Sequence, residues 1–241
     1  MSILIIVLAI HGVAQNKLRS IDELINKKES GWILVKQWID SAKNKVEILQ
    51  PDSSKAKEAL YKIQVTTRSP MGAIIYSTGG LLIDNGWIRI IGSGHEKLKR
   101  TVPDWNKGKS FKEFGEQPKF LLIADDAIGG YFAINGGEFG SDLGKTYYLS
   151  PDNLEWEPLD LTYSDFLNFC FNGNLEDFYS NLRWTNWRDE VSKLDGDKVY
   201  NFFPPLWSKE GKDVNKSSRK SLPVEEQYQF NLDTRKQLGI K

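Results

Sequence analysis

The chain has 241 residues, with 32 basic and 32 acidic side chains that cancel to a formal net charge of zero. That balance argues against a globally cationic face for nucleic acid or anionic lipid, and the length suffices to bury a core without disulfides or a structural metal. One cysteine, Cys170, and two histidines, His11 and His95, exclude an internal disulfide and any Cys/His zinc cluster, and no metal or cofactor is expected.

Residues 3–10 are almost wholly apolar and are followed by a polar sequence. The run is too short to span a bilayer and suits the hydrophobic region of a signal peptide, although no basic residue precedes it. Residues 1–15 are therefore expected to be a signal peptide, with small or tolerated residues (Gly12 and Ala14, or Val13 and Gln15) at the cleavage positions. The mature chain then begins near Gln15 or Asn16, is periplasmic or secreted, and has no integral membrane span. The alternative is a buried N-terminal strand and a cytoplasmic protein.

Ser20 and Glu23 form a capping-box pattern opening a short amphipathic helix with Leu18, Ile21, Leu24 and Ile25. Residues 29–42 read as a second helix and 46–49 as a strand. Asp52 or Ser53 then caps a third helix through Ala59, Leu60 and Ile63. From Val65 the chain turns strand-rich, and Asp84-Asn85-Gly86 separates two apolar runs as a tight turn does. Residues 95–116 are a polar connection with one helical turn. Strands follow at 120–124, 131–135, 146–150 and 156–159, and Tyr163-Ser164-Asp165 opens a helix through Phe166, Leu167, Phe169 and Phe171.

Leu175, Phe178, Tyr179, Leu182 and Trp187 are spaced as one face of a further helix. Asp195-Gly196-Asp197 turns the chain into an aromatic-proline segment, and residues 209–241 read as a polar tail, mostly loop. The fold class is α+β: one domain over residues 16–208, with a mostly antiparallel twisted sheet flanked by N- and C-terminal helices.

The glycine pairs Gly129-Gly130 and Gly136-Gly137 match neither phosphate-binding pattern and read as turns. Asp125, Asp126, Glu138 and Asp142 cluster in sequence, a pattern compatible with acid/base work or calcium, but their spacing is not that of an EF-hand loop. Solvated loop or capping roles are the plainer reading. Cys170, in an apolar run, reads as a buried structural thiol. Trp184 and Trp187, three apart beside Arg183 and Arg188, are either core or an exposed partner-binding patch.

Residues 120–169 resemble the SUKH superfamily, whose bacterial members commonly act as immunity proteins against polymorphic toxins. The likeness lies in DAIGGYFAIN, KTYYLSPD, the following WEPL and the closing TYSDFLNF. The wider span, including MGAIIYSTGGLLIDNGWIRIIGSG and FYSNLRWTNW, is closer to the bacterial domain-of-unknown-function family 2625, which covers nearly all of the mature chain and supplies no activity. The SUKH resemblance implies an α+β fold and binding of a protein toxin through a variable surface, so it transfers no functional residue.

These readings combine into a non-enzymatic protein-binding domain that occludes a toxin or another exported protein. The cleft expected to do so is acidic and aromatic, lined by Asp125, Asp126, Tyr131, Asn135, Asp142 and Trp156. The alternative is an exported envelope enzyme or carbohydrate-binding module acting on cell-wall or surface glycan, suggested by the paired carboxylates and the tryptophans.

Overall fold

Local signals start and stop most of the elements in the computed structural model, which describes residues 18–240. Ser20 caps α1 (Ile21–Leu24) in a reciprocal capping box with Glu23, and Ser30 caps α2 (Gly31–Asp40). After β1 (Val46–Leu49), Asp52 accepts the Ser54 and Lys55 amides at the head of α3 (Ser53–Ile63). The next apolar run is a helix rather than a strand. Ser69 accepts the Gly72 amide and Pro70 occupies the first turn of α4 (Pro70–Ser77), so the capping signal overrides the β-branched pair Ile74-Ile75.

β2 (Gly80–Ile83) and β3 (Ile88–Ile91) form a hairpin whose connection holds Asp84, Asn85 and Gly86 all at positive φ. A polar connection containing α5 (Val102–Asn106) leads to β4 (Phe120–Asp126). β5 (Tyr131–Asn135), β6 (Thr146–Leu149) and β7 (Trp156–Leu161) then follow. All seven strands pair antiparallel in chain order, so the sheet is a simple meander.

Thr162 and Asp165 make a second capping box for α6 (Tyr163–Asn172). The single helix expected beyond it is instead two short pieces, α7 (Leu175–Phe178) and α8 (Trp187–Val191), because Asn186 takes a left-handed conformation at the start of the second. β8 (Lys198–Phe203) and β9 (Ser218–Pro223) form a separate hairpin, with a short 3-10 turn at Glu210–Lys212 between them. α9 (Val224–Leu238) ends the described chain.

The segment expected as a polar tail is thus an integral strand and helix. It packs because its polar face is hydrogen-bonded inside the protein. Asn201 donates to Gln227, Gln227 to Asn231, and Asn231 to the Gly129 carbonyl.

Residues paired across strands share a face of the sheet. One face carries Ile88, Ile90, Ala124, Asp126, Phe132 and Tyr148 and is covered by helices, with Phe166 of α6 tilted against Phe132 at 4.9 Å. The other carries Arg89, Asp125, Tyr131, Ala133 and Tyr147. Over that face lie α5, the β8–β9 hairpin and α9, whose Val224 carbonyl accepts the Tyr131 hydroxyl at 3.1 Å. Cys170 is fully buried on the helical side, as its apolar context requires. No helix among the described residues is long and apolar enough to cross a membrane.

Candidate binding groove

Neighbouring residues of a strand point to opposite faces, so Asp125 and Asp126 are separated by the fold. Asp125 lies on the hairpin side. Its carboxylate accepts from Arg89 Nε at 2.6 Å and pairs with the Arg100 guanidinium. Arg100 also donates to Asp197 at 2.9 Å and to the Gly196 carbonyl at 2.8 Å, while Arg89 reaches the Lys198 carbonyl at 2.8 Å. This network fastens the entry of β8 to the centre of the sheet. Burial pulls the Arg100 pKa down, but the Asp125 and Asp197 carboxylates outweigh it and leave the group above its usual range.

Asp126 lies on the helical side with no cation directly paired to it among the described residues. One carboxylate oxygen accepts the Ile128 and Gly130 amides, and the other accepts the Tyr148 hydroxyl at 2.7 Å and the Tyr179 hydroxyl at 3.2 Å. Burial raises its pKa in spite of these bonds. The Gly129-Gly130 turn is fitted to this cluster: Gly129 has φ +81°, and a Cβ on Gly130 would fall 2.4 Å from both the Asp126 Oδ2 and the Tyr148 hydroxyl.

The six residues expected to line one cleft are therefore distributed through the fold. Asp125, Asp126 and Tyr131 are wholly buried, and an exposed acidic cleft built on them is not formed, because each is consumed by internal hydrogen bonds. Asn135 is also buried. Its amide oxygen accepts the Gly137 and Phe139 N–H groups at 2.8 and 3.1 Å, and its nitrogen donates to Asp142 at 2.8 Å. Asp142 is half-buried and accepts the Tyr147 hydroxyl at 2.9 Å. Asn135 and Asp142 thus shape the loop of residues 136–145 rather than forming an acidic wall.

Trp156 alone of the six lines the large groove. This is an open depression of about 820 Å³ at the β4–β7 end of the sheet, between the strands and α9. One wall is aromatic: Phe139 lies between Trp156, at 4.5 Å, and Tyr147, at 5.0 Å, with Phe120 at 5.6 Å. The other carries Tyr228, Gln229, Leu232 and Arg235 of α9, and Lys107, Lys109, Glu138 and Glu225 complete the lining. Burial, and secondarily the Asp142 carboxylate, raise the Tyr147 pKa, so that ring stays a neutral phenol.

Sequence reasoning missed Phe120, Phe139, Tyr147 and Tyr228. The first three are adjacent only through strand pairing and a loop, and Tyr228 sits in a segment read as tail. The helical spacing of Val224, Tyr228, Asn231 and Arg235 is the signal that finds it. The second aromatic set, around Arg183, is core. Trp184 and Trp187 are buried, and the Arg183 guanidinium lies 4.1 Å from the Trp187 ring and 4.7 Å from Trp87 while pairing with Asp84 at 2.8 Å. Among the described residues no group of His, Cys, Asp and Glu side chains has the arrangement to hold a metal ion.

The family described as "Protein of unknown function DUF2625" matches residues 21–227, a span that includes every strand and the first turn of α9. The chain belongs to this family. It is 46% identical over 215 residues to an "Uncharacterized protein" of Haemophilus influenzae (strain ATCC 51907 / DSM 11121 / KW20 / Rd), covering 89% of this chain and 94% of that one. It is 44% identical over 190 residues to "Putative uncharacterized protein YbfG" of Escherichia coli (strain K12), covering 79% of this chain and 86% of that one. The family likeness extends through the Arg89–Asp125 network and most of the groove wall, ending just before Tyr228.

Proposed function

We propose that this protein is a non-enzymatic binding domain that seats a segment of a protein partner in the Trp156 groove and acts by occluding that partner. The observation that carries this reading is the aromatic wall itself: Phe120, Phe139, Tyr147 and Trp156 gathered along an open groove of about 820 Å³. Aromatic anchors in such a setting supply most of the energy of protein interfaces. The likeness of residues 120–169 to SUKH immunity proteins supports a protein toxin, or another exported protein, as the partner. The apolar run at residues 3–10, outside the described residues, supports an encounter in the periplasm or beyond.

A second reading draws on the same wall. Trp156 and Phe139 are only partly buried and offer ring faces on which a sugar stacks, and Glu138 and Glu225 replace Asp125 and Asp126 as the carboxylates of a glycan site. An envelope enzyme or carbohydrate-binding module is the role it implies.

One experiment separates them. The tagged full-length chain is used to capture partners from its native cells, and Trp156→Ala and Phe139→Ala are compared with the unaltered chain. A stoichiometric protein whose affinity falls about tenfold or more in both variants, with thermal stability retained, supports the binding domain. Capture unaffected by either variant, or competition of soluble cell-wall fragments for the groove without any protein partner, contradicts it.

A further inference from the structure

Resting on the groove reading, we infer that the partner anchors itself there with a basic side chain, an arginine or lysine laid on the Phe139–Trp156 rings with its charge on Glu138. The charges lining the groove are nearly all paired within the fold. Lys109 donates to Glu225 at 2.9 Å and lies 4.1 Å from the Trp105 ring. Lys107 reaches Glu113 at 3.4 Å and lies 4.5 Å from the Phe114 ring. The Arg235 guanidinium is held by the Leu154 carbonyl. Each cation of the lining is engaged within the fold, and so is Glu225.

Glu138 differs. It is exposed, and its carboxylate has no hydrogen-bond or ion-pair partner among the described residues. It adjoins Phe139, the central ring of the wall, and the backbone of both is fixed. The Glu138 N–H donates to the Lys119 carbonyl at 3.1 Å, and the Phe139 N–H donates to Asn135 at 3.1 Å.

A carboxylate beside tilted aromatic rings along an open groove favours a cation over an anion or a neutral group. The Tyr147 hydroxyl, donating to Asp142 at 2.9 Å, makes that ring a better electron donor still. Because the loop is already hydrogen-bonded in place, little ordering cost opposes binding. Asn135 and Asp142 act here as positioning residues, through the loop and Tyr147.

The test uses the full-length chain and three short peptides: acetyl-Ala-Arg-Ala-amide, its citrulline counterpart of the same shape without charge, and its glutamate counterpart. Binding is followed by nitrogen–proton correlation spectra at the Trp156 indole and the Glu138 and Phe139 amides. The arginine peptide is expected to saturate these signals about tenfold more tightly than the citrulline peptide, and Glu138→Gln to remove most of that preference. The glutamate peptide is expected not to saturate them.

Equal or tighter binding of the citrulline or glutamate peptide overturns the inference, as does an unchanged preference in Glu138→Gln. If those results come while Trp156→Ala still abolishes capture of a protein partner, the groove reading stands and only the basic anchor fails. If Trp156→Ala leaves capture intact and no peptide perturbs the groove, both fail.

Discussion

Arg89 and Asp125 stand directly opposite each other on β3 and β4, and their buried side chains share a 2.6 Å guanidinium–carboxylate hydrogen bond. The same carboxylate pairs with Arg100, so one buried acid serves two cations. Such an arrangement contributes less to net stability than its geometry suggests, since all three charges lose hydration. Its effect is positional: the carbonyls of Gly196 and Lys198 are held by these arginines, which fixes where the second hairpin meets the sheet.

Removing the shared acid is therefore the severe change. Asp125→Ala leaves two buried guanidinium groups without their carboxylate and is expected to cost about 3–5 kcal/mol in urea unfolding. Asp197→Ala, at a more exposed partner of Arg100, is expected to cost about 1–2 kcal/mol. Equal and small losses for both variants would show that the network is not a buried one in solution.

Asp126 predicts a dependence of the opposite kind. Burial raises its pKa from the ordinary 3.8, so the folded state holds the proton more tightly than the unfolded state does. Its contribution to stability is then fully present below that ordinary value and falls as pH rises through the folded one. Asp126→Asn keeps an oxygen for the Ile128 and Gly130 amides and is expected to flatten this part of the stability–pH curve. An identical curve for the variant would contradict the assignment.

The separation of Asp125 from Asp126 also shows what the sequence makes legible. Two adjacent acids in a strand announce opposite orientations, but only the assembled sheet reveals that one meets arginines and the other tyrosines. Short-range devices were readable: the Ser20–Glu23 capping box, the Asp84-Asn85-Gly86 hairpin and the buried Cys170 depend on residues within a few positions of one another. α4 was less so, because Ile74 and Ile75 favour strands and the Ser69-Pro70 start signal competes with them. α9 was hidden by its composition, since a face of Gln227, Asn231, Thr234 and Arg235 reads as solvent-exposed until β8 and the Gly129 turn supply partners. Of the groove, only Trp156 was anticipated, as its other rings converge from β4, β6, a loop and α9.

The buried phenols set an upper pH limit. Burial raises the pKa values of Tyr131, Tyr148 and Tyr179 well above the ordinary 10.0, with Asp125 adding to the first and Asp126 to the other two. Their folded values exceed their unfolded ones, so the stability they contribute is present below about pH 10 and is lost as pH rises above it. Phenolate absorbance from these side chains is expected to appear together with loss of near-ultraviolet circular dichroism. Ionisation of all the tyrosines before any loss of that signal would contradict their burial.

Cys170 provides an independent probe of the helical layer. It is fully buried, and burial holds its thiol pKa well above the ordinary 9.0. A disulfide reagent is expected to label it only as fast as the protein opens, with a rate that rises along the urea transition. Rapid labelling in native buffer would place α6 away from the sheet.

Hydrogen exchange of the protein with and without its captured partner shows whether that partner sits in the groove. Slowed exchange confined to residues 136–145 and to α9, Val224–Leu238, is the predicted footprint. Protection at the β8–β9 hairpin or along α2, with residues 136–145 unchanged, would contradict it and move the binding surface elsewhere on the fold.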